Sequence, residues 1–266
     1  MKTFFQRLSE EQITISSQLT DLAIHLYINK SHEDRLRNDD LTTSAASYLR
    51  YKHSALNNFI GAKHLEIPWI EDRAHFNKVE IIEKMTAFIL NLRISLDLLV
   101  CLVECIMRGS LPAFNETYPS ITQNTHKGEL NKIYKGIMKK PWFEGVSQSR
   151  HQLIHKGCHL SCSNEYRYLN ENVNNPQRYF NYKLVRFKAV PDSGTSQFMI
   201  KTGSTQKILK ILNLEDAFFE YLADIKLYES RLYNEALKAH KILPITTGLS
   251  EYHFSKFSVV KTSAPS

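Results

Sequence analysis

Two side chains in the segment Ser149-Arg150-His151-Gln152-Leu153-Ile154-His155-Lys156-Gly157 suit chemistry on an anion. Arg150 carries a planar fork of donors, and His155 carries an imidazole that changes charge near neutral pH. On a helix, Trp142, Val146, Leu153 and Ile154 fall within an arc of about 120°, and Arg150 lies inside it. A guanidinium on an apolar face must be paired or open into a polar cleft, because burying it alone is prohibitive. Either its stem packs while its head reaches water or a carboxylate such as Asp97 or Glu104, or it faces a site that takes an anion. His155 falls in the last turn, where the negative end of the helix dipole favours its protonated form. It either caps terminal carbonyls or works as an acid and base. His151 stands one turn earlier on the same side, to orient His155, to meet an anion, or simply to be solvated; Lys156 adds a cation beside them. Arg150 and His155 are five apart, so a regular helix points them about 140° away from each other. Convergence on one anion then requires the helix to loosen toward Gly157 or two copies of it to meet across a dimer. The dimer is the favoured expectation.

The elements that must position this segment are mostly helical. Ile13, Leu19, Leu22, Ala23, Leu26 and Tyr27 lie at helical spacing between Glu10 and Lys30, and a second helix is expected from Thr42 to Lys63, with Pro68 breaking the pattern. The strongest periodicity follows. Ile82, Met85, Ile89, Leu92, Leu96, Leu99, Val103 and Ile106 alternate steps of three and four, a seam along one face of a long helix. Gly109 and Pro112 supply its stop, and a loop rich in Pro, Ser, Thr and Asn follows from Ser110 to Gly128. Leu130 to Met138 predicts a short helix, and Pro141 suits the first turn of the helix that ends at His155 before a left-handed Gly157. From about Ser161 to Thr205 the pattern changes to a β hairpin. Tyr179 to Val190 and Gln197 to Thr202 are its strands, and Asp192-Ser193-Gly194 is the turn. Asn213 then caps a last long helix carrying Phe218, Tyr221, Ile225, Tyr228 and Leu232.

The expected fold is therefore mainly α: an antiparallel helical bundle over residues 76–241 with the hairpin inserted at about 161–205. Residues 1–75 form an N-terminal helical extension, and residues 242–266 a loosely ordered tail. Nine glycines and eight prolines in 266 residues favour long helices over a turn-rich β sandwich. With 34 Lys plus Arg against 27 Asp plus Glu, the balance suits a polyanion such as RNA, though the charges are scattered rather than gathered in a tail. Met85 to Met107 is apolar enough to suggest a membrane span, but Arg93, Asp97 and Glu104 would each cost about 3 kcal/mol there, so a core helix is expected. With no apolar run after Lys2 to suggest a secretory signal, a cytoplasmic protein is expected. Cys101 and Cys105, and Cys158 and Cys162, are spaced by four rather than by the knuckle spacing of structural zinc, so no metal and no cofactor is assigned.

Arg150-His151-Gln152-Leu153-Ile154-His155 resembles the R-x4-6-H signature of the HEPN superfamily. In that family a polar residue commonly follows the Arg, and the motif closes the third core helix of a four- or five-helix bundle. The long apolar helix before it, the glycine after it and the later long helix agree, and the resemblance covers about Phe76 to His240. His151 departs from the Asn or Asp often found at its position. Many family members are metal-independent endoribonucleases that build one site from two subunits. The resemblance implies that His155 is the general acid or base, that Arg150 holds the scissile phosphate, and that His151 and Lys156 support them. It further implies RNA as substrate, a homodimer, and a toxin or defence role with an antitoxin partner, frequently a nucleotidyltransferase. Two other readings stay open: a non-catalytic HEPN-like module that binds RNA or a nucleotide, and a helical scaffold in which the motif is coincidental. No Gly-rich phosphate loop, no H-E-x-x-H and no nucleophile elbow occurs.

Overall fold

A computed structural model of the chain describes residues 4–11, 17–31, 33–34, 39–70, 77–109, 120–123, 126–167, 177–191, 198–204 and 214–242. Among them are seven helices: α1 (Phe4–Glu10), α2 (Gln18–Ile28), α3 (Asp40–Ile70), α4 (Lys78–Arg108), α5 (Gly128–Met138), α6 (Pro141–His155) and α7 (Leu214–His240). Between α6 and α7 run three strands, β1 (Cys158–Arg167), β2 (Gln177–Pro191) and β3 (Phe198–Ser204). The result is a mainly helical bundle with an antiparallel sheet. The Asp192-Ser193-Gly194 turn, the Asn213 cap, Ile13, Pro112 with most of the 110–128 loop, and the tail beyond Pro244 lie outside the described residues.

Two of the sequence expectations are corrected. The second helix does not stop near Lys63 but continues through Pro68 to Ile70. Proline removes one backbone donor and crowds the carbonyl four residues back, and in a final turn that disruption costs only one bond. The sheet holds a strand more than a hairpin: β1 precedes the hairpin and pairs with β2 from Cys158 opposite Arg186 to Arg167 opposite Gln177. β2 then pairs with β3, with Val185 opposite Ser204 and Pro191 opposite Phe198.

The residues sort into two compact units, and the long helices contribute to both. One unit gathers α1, α3 from Ser54 on, α4 up to Arg93, α6, the sheet, and α7 up to Tyr221. Its core is aromatic. Phe59 stacks on Phe218 with ring centroids 4.4 Å apart, and Phe4 and Phe88 pack around them. The sheet closes on the same helices through Ile81, Cys162 and Phe180, flanked by Leu65, Ile82 and Tyr182. The other unit gathers α2, the first part of α3, α4 from Ile94, α5 and the rest of α7. There Lys140 Nζ meets Asp224 at 2.8 Å, and the His240 ring lies 2.6 Å from the Ile106 carbonyl oxygen.

The expected seam on α4 is buried almost throughout, from Met85 to Ile106. α4 is long and apolar enough to cross a membrane, yet 61% of its most apolar window is buried within the protein, as in a core helix. Gly109, at φ 85°, ends it.

Candidate active site at the end of helix α6

Helix α6 starts at Pro141, whose fixed φ and missing donor suit a first turn. It buries Trp142, Phe143, Val146 and Ser149. Trp142 meets Tyr221 of α7 edge-on at 5.4 Å, and the Arg93 guanidinium of α4 lies 5.5 Å from the centre of the Phe143 ring. Helix bonding persists to the end, since the Lys156 N–H donates to the Gln152 carbonyl at 3.2 Å. Gly157 follows at φ 62°, the left-handed stop expected from sequence. One residue later the chain enters β1, where the Cys158 thiol donates back to Gln152 Oε1 at 3.7 Å.

Arg150 is half-buried at the border of the packed face, whereas His151, His155 and Lys156 are exposed. The Arg150 Nε is buried and has no hydrogen-bond partner among the described residues. The carboxylates considered for it are engaged elsewhere: Asp97 accepts from the Ile121 N–H at 3.0 Å, and Glu104 pairs with Arg108 at 2.7 Å. Nor does the His155 side chain hydrogen-bond to the terminal carbonyls; its one contact among the described residues is with the His151 ring, 5.1 Å away between centroids. The packed arc is also rotated from the one read in sequence. Ile154, placed on the apolar face, is 49% exposed, while Phe143 and Ser149 are buried. Position 154 falls at the helix end, where none of the described elements covers its side chain fully.

One residue that sequence reasoning did not single out shares the Arg150 border. Ser147, one turn before Arg150, also carries a buried side-chain oxygen without a partner among the described residues. Its signal was spacing, since Phe143, Ser147 and Arg150 form one stripe at i, i+4 and i+7. Arg93, noted in sequence as a costly charge in an apolar helix, lies against the same Phe143. The structure thus brings His151 and His155 together, sets Arg150 beside Ser147, and lets the two pairs diverge around a regular helix.

The two α4 thiols lie away from this segment. Burial pushes Cys101 up to about 12 and Cys105 up to about 11, so both stay protonated at neutral pH. Among the described residues no group of three or more His, Cys, Asp or Glu side chains is arranged to hold a metal ion. Comparison with protein-family models, with characterised proteins and with solved structures yields no match to this chain.

Proposed function

We propose that the chain is a metal-independent endoribonuclease of HEPN type that works as a homodimer in the cytoplasm. The observation that supports this most is the buried Nε of Arg150, a charged donor with no acceptor among the described residues. A donor left in that state is destabilising, and the half-buried guanidinium that carries it is a fork suited to a phosphate oxygen at its open side. Around the helix from it, His155 is exposed at the last turn before a left-handed glycine. In the reaction, the imidazole removes the proton of a ribose 2′-hydroxyl, the 2′-oxygen attacks its own phosphorus, and the 5′-oxygen departs with a proton returned by an acid. Arg150 balances the charge that builds on the phosphoryl oxygens, with Ser147 donating next to it. Products are a 2′,3′-cyclic phosphate and a 5′-hydroxyl.

The divergence of Arg150 from His155 is the reason for the dimer: one regular helix does not aim both at the same phosphorus, so each site takes Arg150 from one copy and His155 from the other. A toxin or defence role, with an antitoxin or nucleotidyltransferase partner, extends the same reading. The test is cleavage of a mixed RNA pool in EDTA. Wild type should leave cyclic phosphate ends and His155→Ala should not; equal cleavage by both would refute the assignment. Mixing Arg150→Ala with His155→Ala subunits should restore cleavage, because the hybrid dimer holds one intact composite site. Without restoration the shared-site arrangement fails.

A further inference from the structure

We propose that His151 and His155 form a two-imidazole chelate for a late first-row divalent cation, Zn²⁺, Cu²⁺ or Ni²⁺, on the outer face of α6. The two residues are four apart on a regular helix, so their side chains stack one above the other on one side. Both are exposed, and their ring centroids are 5.1 Å apart with planes 45° from each other. That spacing is one a shared metal allows. With metal–nitrogen bonds of about 2.0–2.1 Å and ring centres about 1.2 Å behind the nitrogens, two imidazoles at about 105° around one ion have centroids about 5 Å apart. Rotation of the two exposed rings about their side-chain bonds can aim one nitrogen of each at a shared ion, and the second imidazole then acts at the high effective concentration set by the first. The end of the helix adds to this, because the C-terminal partial negative charge favours a cation there. Lys156 opposes it with one positive charge, which neutral-nitrogen ligation to a late transition metal outweighs and which would exclude weakly held Mg²⁺. Water fills the remaining coordination positions, as expected for a site open to solvent.

The consequence for chemistry rests on the ribonuclease reading. A metal bonded to the His155 nitrogen occupies the lone pair that would accept the 2′-hydroxyl proton, so the cation is an inhibitor of a reaction that needs none.

Calorimetric titration of EDTA-stripped, untagged, full-length protein with ZnCl₂ tests the chelate directly. Wild type should bind one Zn²⁺ per chain, while His151→Ala and His155→Ala should each weaken binding about tenfold or more. Their melting temperatures should stay at the wild-type value, since both side chains are exposed and make no hydrogen bond among the described residues. MgCl₂ should give no binding heat. Zinc binding by His151→Ala at wild-type affinity, or no zinc binding by wild type, would overturn the proposal. RNA cleavage is read separately: relative to its own zinc-free rate, His151→Ala should need about tenfold more Zn²⁺ than wild type to be inhibited. A protein that binds zinc through both histidines yet cleaves no RNA would keep the chelate and lose the ribonuclease reading; one that cleaves RNA but binds no zinc would do the reverse.

Discussion

Glu229 and Glu66 are buried in different units, and each is held by one lysine and one tyrosine; Arg150 and Ser147 are buried in part and held by nothing described. For Glu229, Tyr48 donates its hydroxyl to Oε1, and Lys52 Nζ donates to both oxygens, at 2.9 and 3.1 Å. For Glu66, Tyr182 donates from β2 and Lys63 from one turn earlier on α3, with Glu215 sharing that lysine at 3.2 Å. These are polar groups inside a core whose donors and acceptors are matched, as a folded interior requires. The α6 border breaks that rule at Ser147 Oγ and Arg150 Nε. The buried Tyr134 hydroxyl also lacks a partner among the described residues, so what sets the α6 border apart is a charged donor and a hydroxyl orphaned together on one helix stripe.

Glu229→Ala should strike that distinction hardest. It strands Lys52 as an uncompensated buried cation, and a loss of about 3–5 kcal/mol in urea unfolding is expected. His155→Ala should slow RNA cleavage about a thousandfold, equivalent to about 4 kcal/mol of barrier, while leaving the unfolding free energy in urea within about 0.5 kcal/mol of wild type. Arg150→Ala should cost about a hundredfold in cleavage, yet leave stability unchanged or raise it, because it removes an uncompleted donor rather than a bond. If Arg150→Ala destabilises as much as Glu229→Ala, the contrast collapses and Arg150 belongs to the fold. Gly157→Ala should cost about 1 kcal/mol from the left-handed φ alone, since no atom of the described residues lies within 4 Å of the added methyl group.

The smallest expected effect is a slope. Burial holds the Glu66 carboxyl above its usual value of 4.5, with Lys63 opposing, so the folded protein keeps that proton to higher pH than the unfolded chain does. Its contribution is full below about 4.5 and fades as pH rises through the folded value. Melting curves of Glu66→Gln across this window should lack that decline; an unchanged decline would assign it to another group.

What could be read from sequence depended on how many residues repeat a signal. The α4 seam is written eight times over, and the helix stands where the pattern puts it. Gly157 was legible because a left-handed stop after a helix leaves few other choices. β1 was not, although Cys158, Leu160 and Cys162 are buried and His159 is exposed between them. The alternation is there, but it is spelled in Cys, Ser, His and Asn, which carry weak strand preference, rather than in Val or Ile. Arg150 stood out by type on an apolar arc, whereas Ser147 did not, because a serine on a helix is unremarkable until its surroundings show that nothing bonds it. Ile154 was misplaced because a helical wheel carries no information on where the covering elements end.

The assembly of each unit from three separate stretches of chain has a consequence for synthesis. Phe4 of α1 packs against Phe218 of α7, 5.8 Å between ring centres, so the first described helix closes its core only with a segment more than two hundred residues later. At translation speeds of about 5–20 residues per second, that apolar helix waits about 10–40 seconds for its partner on the ribosome. Neither unit has its full complement before α7 emerges, and loss of α7 would leave two incomplete cores rather than one truncated domain.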